Sequence, residues 1–377
     1  MKEKISPIQY YSIIFVYLIS NDIVRGIYAQ DLKNDFWIPN VVGTLFSMLL
    51  FTLYIFIYKN NNYDGFTNSF KHTLGKFIFR ILSIFYIVYF LTISFFTVVD
   101  VVEMVSIHLL PNYPTASLSF VCLISVGYLL FKKVEVVGRL SELLMIVIYV
   151  TFFAMIFFTI SLYEFKLSNI LPILQGDYKI ILRTYLEMGY AMPFGELFVF
   201  MIIYEHLNKK EKVTKVTNLA ILTSGLAMTT VTLFNLFILG PDPMAIGISP
   251  AVRLARTIDI EEYIQRLDLL LVAFNVILLF VKTFILLYGA GRLLKDMFNF
   301  DEKKEKISYL CFLIIIFFIS TFIYKGYTQI LVFRKNFFIP YVNIIFEVFI
   351  PLLIIIISFM RKGKRKYHPD EILEYTI

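Results

Sequence analysis

The chain has 377 residues, of which 59% are hydrophobic and only 17% are charged. Because soluble domains are roughly 45–50% apolar, this composition excludes an ordinary soluble globular protein and predicts an integral membrane protein. The formal net charge of +7 comes from basic residues that stand between apolar runs, which indicates membrane orientation rather than nucleic-acid binding.

Apolar runs long enough to cross a bilayer, which takes roughly 20 helical residues, predict ten transmembrane helices in one domain spanning residues 1–377. The runs lie near residues 7–30, 37–58, 77–103, 115–131, 140–163, 184–206, 215–239, 266–290, 307–325 and 337–360. The first run contains Asn21, Asp22 and Arg25 and lacks a small-residue cleavage site, so we expect it to stay in the mature protein.

Basic residues divide unevenly between the two sets of connecting segments. With the N-terminus inside, the cytoplasmic set holds 23 Lys and Arg residues and the opposite set holds 10, while Arg25 and Lys282 lie within spans. This bias fits the positive-inside rule and predicts that both termini, including the basic tail 361–377, are cytoplasmic.

Ten spans divide into two sets of five, within residues of about 1–165 and 184–360. Because each half has an odd number of spans, the second half enters the membrane from the opposite side. This arithmetic is typical of an inverted repeat, in which the first and sixth helices correspond.

Polar residues interrupt the first span at Ser20, Asn21 and Asp22, with Arg25 following. One interpretation is an unwound segment that presents amides and a carboxylate to a small ligand. The alternative is that Asp22 and Arg25, three residues apart on one helix face, neutralise each other.

The sixth span is interrupted as well, at Gly189-Tyr190-Ala191-Met192-Pro193-Phe194-Gly195-Glu196. Proline removes a backbone donor and glycine tolerates unwinding, although an ordinary kink with Glu196 paired to Lys282 or Arg25 is the alternative. Interrupted helices at corresponding places of two halves indicate a transporter-type binding site.

Lys282 lies in the eighth span between apolar residues. An ammonium at that depth must pair with Glu196, Asp22 or backbone carbonyls. It stands either where a coupling cation binds in related transporters or in a purely structural ion pair.

Other charged residues allow less specific predictions. Asp100 and Glu103 line an entrance vestibule or are solvated at the interface, and Glu142 and Glu347 are expected to face the interior without an assignable role. Arg253 and Arg256 fall on one face of a short helix, which is a solvated basic helix, a lid or a contact for a partner protein. No metal-ligand spacing, phosphate-binding loop or nucleophile motif occurs, so no metal, cofactor or enzymatic activity is expected.

An ordered series of short motifs resembles one family, the B subunits of spore nutrient-germinant receptors. This spore germination permease family is a branch of the amino acid/polyamine/organocation transporters. The motifs are Ile5-Ser6-Pro7-Ile8-Gln9, Asp35-Phe36-Trp37, Leu74-Gly75-Lys76, Leu110-Pro111 with Pro114, Val134-Glu135-Val136-Val137-Gly138-Arg139, Asn169-Ile170-Leu171-Pro172-Ile173-Leu174, Pro193-Phe194-Gly195-Glu196, Gln265-Arg266-Leu267-Asp268 and Lys282.

The resemblance implies a leucine-transporter-like fold with a five-plus-five inverted repeat and a small ligand between broken helices 1 and 6. It assigns Ser20, Asn21 and Asp22 to the first break, Met192 to Glu196 to the second, and Phe274 with Lys282 to helix 8. It also implies an A subunit and a C-subunit lipoprotein as partners in the spore inner membrane.

Three functions follow from these interpretations. The first is a receptor subunit that binds a nutrient, such as an amino acid, and signals germination. The second is a secondary amino-acid transporter, coupled to protons or independent of cations. The third is a water or ion conduit that partner subunits open.

Overall fold

A computed structural model describes residues 4–20, 28–60, 66–162, 165–174, 178–190, 194–245, 249–257, 267–323 and 326–362. Within these ranges the protein is all-helical, and the only strand-like contact is a parallel bridge between Ile5 and Leu207. The α-helices of the first half are α1 Pro7–Ile19, α2 Ala29–Leu32, α3 Ile38–Asn60, α4 Phe66–Leu74, α5 Lys76–His108, α6 Thr115–Leu130 and α7 Val134–Leu162.

The second half continues with short and long helices in alternation. Its α-helices are α8 Tyr178–Tyr190, α9 Phe200–Ile203, α10 Val213–Leu239, α11 Pro241–Ala245, α12 Pro250–Thr257, α13 Leu267–Phe298, α14 Glu302–Phe318, α15 Tyr327–Phe333 and α16 Ile350–Lys362. Segments of 3₁₀-helix cover Lys33–Asp35, Leu167–Ile170, Gly195–Val199, Tyr204–His206 and Lys210–Lys212, and π-helical segments cover Ile319–Ile323 and Arg334–Phe349.

Seven helical stretches of the described chain are long and apolar enough to span a membrane. They are Lys33–Phe56, Lys76–His108, Val134–Ser161, Lys210–Leu239, Leu267–Phe298, Glu302–Ile323 and Tyr327–Met360. Two of the other three predicted spans contain shorter apolar helices, α1 and α6, and the sixth predicted span overlaps the end of α8. The membrane-protein class is therefore supported by seven candidate spans, and the count of ten stays a prediction.

Helix α1 lies at the centre of the bundle. It begins with a capping box, in which the Ser6 backbone N–H donates to Gln9 Oε1 (2.9 Å) and the Gln9 N–H donates to Ser6 Oγ (3.1 Å), so two free donors of the first turn are satisfied. Every residue from Ile13 to Leu18 is at most 1% exposed, and α1 packs against α7, α10 and α13. A helix buried on all sides belongs to the protein core.

The region of the sixth predicted span contains several short helical elements. Helix α8 ends at Tyr190, and a 3₁₀-helix begins at Gly195 and leads into α9. All side chains from Phe194 to Tyr204 are buried. The intervening residues 191–193 lie outside the described residues, as do residues 21–27 after α1, so the two predicted helix breaks remain predictions.

The last predicted span differs from its expected extent. Helical structure runs without interruption from Tyr327 to Lys362, whereas the apolar run predicted a start near residue 337. Arg334, which the sequence assigned to a connecting segment, is 1% exposed within this helix. Pro340 has no N–H to donate, and it lies inside the π-helical stretch Arg334–Phe349.

Connecting segments group at two ends of the bundle, as their alternation predicts. At one end, Phe66 N–H donates to Glu205 Oε1 (2.6 Å), and Thr67 donates to Asp296. At the other end, Lys33 pairs with Asp242 (3.0 Å), Lys335 with Asp31 (2.6 Å), and Leu174 N–H donates to Asp35 (3.0 Å). In each contact, both residues lie at the same end of the bundle in the topology predicted from the charge count.

Candidate functional site

A buried ion pair occupies the centre of the protein. Lys282, at the middle of α13, places Nζ 2.8 Å from Glu196 Oε2 on the 3₁₀-segment, and the two side chains are 2% and 0% exposed. An ammonium that far from water needs an opposite charge close by. The sequence predicted three possible partners for Lys282. Among the described residues, the structure shows a contact with one of them, Glu196.

Tyr17 joins α1 to this ion pair. Its hydroxyl donates a hydrogen bond to Glu196 Oε2 (2.9 Å), and Lys282 Nζ lies 5.3 Å from the centroid of its ring, within the range of a cation–π interaction. Sequence analysis missed this residue. Its signal was its position three residues before Ser20, which puts both on one face of α1.

The second carboxylate oxygen of Glu196 lies beside the Glu196–Lys282 ion pair. Glu196 Oε1 is buried and has no hydrogen-bond partner within the described residues. Asp22 and Arg25, the other charged candidates, lie outside the described residues. The second carboxylate oxygen is therefore the open position of this cluster.

A cavity of about 90 Å³ lies beyond the C-terminal end of α1. Its walls come from α1, α7, α10, α12 and α13. The lining residues are Ile19, Ile148, Thr151, Phe152, Met155, Ala227, Met228, Val231, Ala251, Val252, Leu271, Phe274, Asn275 and Leu278. The lining is almost wholly apolar, and this volume admits several water-sized groups.

Two neighbouring residues of α13, Phe274 and Asn275, contribute an aromatic and an amide group to the cavity wall. Phe274, predicted from the resemblance, lines the wall. Asn275, which sequence analysis did not single out, also lines it, and its Oδ1 is buried without a hydrogen-bond partner in the described part of the chain. A buried unsatisfied acceptor in a cavity wall indicates a missing donor.

The other predicted site residues have different outcomes. Ser20 is fully buried and donates to the Tyr17 carbonyl (2.7 Å), and the Phe194 carbonyl accepts from Ser47 Oγ (3.2 Å). Gly195 begins the 3₁₀-segment that carries Glu196. Gly189 and Tyr190 end α8, and their side chains are not described. Asn21, Asp22, Arg25, Met192 and Pro193 lie outside the described residues.

A second buried ion pair lies near the C-terminal end of α5. Arg334 Nη1 donates to both carboxylate oxygens of Asp100 (2.8 and 3.0 Å), and the Tyr327 hydroxyl donates to Oδ1 (3.1 Å). Asp100 is 2% exposed, so the prediction of interfacial solvation is wrong for this residue. Asp100 instead contributes to a small cavity of about 10 Å³ that Glu103 and His108 also line.

A polar cavity of about 900 Å³ opens at the opposite end of the bundle. Its charged lining residues are Lys71, Lys132, Lys133, Glu205, Lys210, Arg292, Lys295, Asp296, Glu302, Glu305 and Lys306. Basic groups outnumber acidic ones in this list. Within the described residues, the site thus lies between an end held by the buried Asp100–Arg334 pair, called the closed end, and an end where the basic cavity opens, called the open end.

The short helix predicted around Arg253 and Arg256 exists as α12. Arg256 donates to Asp268 (3.0 Å) and contacts His108 Nδ1 (2.9 Å). Val252 and Leu254 are 3% and 2% exposed. Helix α12 buries these side chains and supplies Ala251 and Val252 to the cavity wall, so it is not a wholly solvated helix, and the lid stays a prediction.

Comparison with known proteins identifies the family. A sequence model described as spore germination protein, or spore permease, matches residues 4–330. Spore germination protein KB of Bacillus subtilis (strain 168) is 24% identical over 337 residues, which cover 89% of this chain and 90% of that protein. Spore germination protein YndE of the same bacterium is 20% identical over 367 residues, covering 96% and 98%. Because the family match extends over most of the chain, the protein belongs to the spore germination permease family that its ordered motifs predicted.

Proposed function

We propose that the chain is the membrane subunit of a spore nutrient-germinant receptor, which binds a small nutrient at the end of α1 and signals germination. The observation that carries this proposal is the apolar cavity of about 90 Å³ lined by Phe274 and Asn275. It lies at the same helix end as Ser20, where the family resemblance assigns the ligand.

The cavity favours a ligand with a small apolar body and a nitrogen donor. Apolar walls remove the body from water, and the buried Asn275 Oδ1 accepts a hydrogen bond from an N–H group. The C-terminal end of a helix such as α1 carries a partial negative charge, which also favours an ammonium. A small amino acid has both features.

Signalling follows from the elements that meet at the site. A ligand that binds one conformation better than another shifts the population between them. Here the ligand contacts α1, α12 and α13, and the pair of Glu196 and Lys282 connects α1 and α13 to the 3₁₀-segment. We propose that an A subunit and a C-subunit lipoprotein detect the shift in the spore inner membrane.

The proposal includes a ten-span topology with a five-plus-five inverted repeat, broken helices 1 and 6, and both termini in the cytoplasm. The segregation of connecting segments at two ends of the bundle supports the alternation of spans. The abundance of basic side chains around the 900 Å³ cavity supports a cytoplasmic location for that end.

A cavity-filling substitution tests the site. Ala227→Leu adds three carbon atoms to a residue that lines the cavity, so we expect spores carrying it to lose the nutrient response. Germination is measured against each proteinogenic amino acid, in spores of the source bacterium that lack the native gene. Ala154→Leu is the matched control, because Ala154 has intermediate burial on α7 and is absent from the lining. An unchanged dose–response of Ala227→Leu spores, with the protein present at normal level, would refute the site.

Secondary transport is a second candidate. The bundle is open at one end and closed by ion pairs at the other, which is typical of one conformation of an alternating-access carrier. Uptake of labelled amino acid into proteoliposomes above the level of Ala227→Leu protein would favour transport. Binding without uptake would favour sensing alone.

A further inference from the structure

Glu347 is a buried carboxylate that the proposed site does not use. It lies in the π-helical segment Arg334–Phe349 and is 0% exposed. The Tyr89 hydroxyl donates to Oε1, and the Tyr54 hydroxyl donates to its backbone carbonyl. Its Oε2 is buried and has no hydrogen-bond partner in the described part of the chain. One donor is too few for a carboxylate anion in the membrane interior.

The surrounding charges do not balance Glu347. Glu196 and Lys282 lie within electrostatic range of it, and Lys282 already contacts Glu196 at 2.8 Å. Arg334 is the other buried cation of this region, and Asp100 holds it with two hydrogen bonds. Three described carboxylates thus face two described cations, and one negative charge is in excess.

Among the described residues, the other titratable groups close to Glu347 are phenols. Tyr89 on α5 and Tyr54 on α3 donate hydrogen bonds to Glu347, and Tyr86 on α5 and Tyr17 on α1 lie within electrostatic range of it. Phenols are neutral at physiological pH, so they supply hydrogen bonds without offsetting the excess charge.

We propose that Glu347 is a proton-binding site of the transmembrane core and carries its proton in this conformation. The neutral acid removes the excess charge, so the one hydrogen bond from Tyr89 no longer has to stabilise an anion. Lys282 then keeps its ion pair with Glu196. Loss of the proton creates a second anion that competes for Lys282, so the pairing that joins α1, the 3₁₀-segment and α13 becomes dependent on proton occupancy.

A proton fits this site better than a metal cation. No group of three acidic, histidine or cysteine side chains suited to a metal occurs among the described residues. Glu347 lines none of the three cavities described above. A proton needs neither additional ligands nor space.

Infrared spectroscopy of the full chain in lipid nanodiscs tests the proposal, because a protonated carboxyl group has its own C=O stretching band. At neutral pH we expect Glu347→Gln to remove the amplitude of one carboxylic acid from the wild-type spectrum. Glu142→Gln is the matched control, since Glu142 is a half-buried carboxylate on α7, and it should leave the buried-acid band unchanged.

Two further variants separate the proposal from a local packing effect. In Glu196→Gln, Lys282 loses the carboxylate that it contacts, and Glu347 gives up its proton to become the new anion. The spectrum of this variant therefore also loses the amplitude of one carboxylic acid. In Lys282→Met, Glu196 gains a proton and one carboxylic acid is added. An unchanged band in folded Glu347→Gln protein would overturn the proposal. If Glu347→Gln does not fold, an unchanged band in Glu196→Gln overturns it instead. A thermal stability that requires Na⁺ or K⁺, without an acid band, would assign the site to a metal cation.

Discussion

Tyr17, Glu196 and Lys282 show how far single residues of the membrane interior can be predicted. Few cations and few carboxylates occur within the apolar runs, and each needs a partner. Lys282 therefore has few possible partners, and Glu196 is one of them. Arg334 escaped because the apolar run was expected to start only near residue 337. Asn275 escaped because an amide carries no charge, and only the cavity beside it reveals its open acceptor.

The buried pair makes a prediction about stability. Lys282→Met leaves the Glu196 carboxyl group in the core without its cation, so it should destabilise the protein by about 3–5 kcal/mol. Glu196→Gln should also destabilise it, but by less, because Glu347 then serves as the anion for Lys282. The double variant removes both demands and should lose less than either single variant. Unfolding in detergent, followed by circular dichroism, measures this. Arg139→Met is the control, because its pair with Glu135 is 71% and 39% exposed and surface pairs contribute about 0–1 kcal/mol. A double variant as unstable as the sum of the singles would contradict the coupling.

At the scale of elements, long apolar runs predicted the helices and the exceptions have physical causes. Helix α4 was missed because Phe66–Leu74 is short and amphipathic, a pattern that also suits a connecting loop. Helix α12 was predicted from the spacing of its arginines. The extension of the last helix to Tyr327 was missed because two adjacent basic residues, Arg334 and Lys335, are typical of the membrane interface. Arg334 is nevertheless buried, in an ion pair with Asp100.

The contact between α5 and the π-helical segment predicts a gate at the closed end. Arg334→Met leaves Asp100 buried with Tyr327 as its remaining described donor, so we expect these elements to separate. A cysteine at Met104, which is 4% exposed and lines the small cavity beside Asp100, should then react several-fold faster with a maleimide. Lys335→Met is the control, because its pair with Asp31 is 30% and 27% exposed. Equal labelling rates in Arg334→Met and Lys335→Met would mean that the Asp100 pair does not hold this end closed.

For the whole molecule, the feature that the sequence predicts best is the end of the bundle at which each connecting segment lies. Contacts between neighbouring residues do not explain this division. Alternation along the chain separates the connecting segments into two sets, and contacts at the two ends respect that division. The 900 Å³ cavity could not be predicted, because it depends on how α4, α6, α13 and α14 are arranged at one end of the bundle. That end has the greater concentration of basic residues, which is the physical argument for its cytoplasmic location.

Absolute orientation gives the last prediction. In a chain whose Cys122 and Cys311 are replaced by serine, Leu174→Cys and Glu211→Cys place exposed thiols at the closed and open ends. The positive-inside rule predicts that an impermeant maleimide labels Leu174→Cys in intact cells and Glu211→Cys only after permeabilisation, because Glu211 follows Lys209 and Lys210 at the basic end. The reverse pattern would invert the topology and make the basic cavity an entrance from outside. Labelling of both thiols in intact cells would put the two ends on one side of the membrane, which an odd number of spans between residues 174 and 211 forbids.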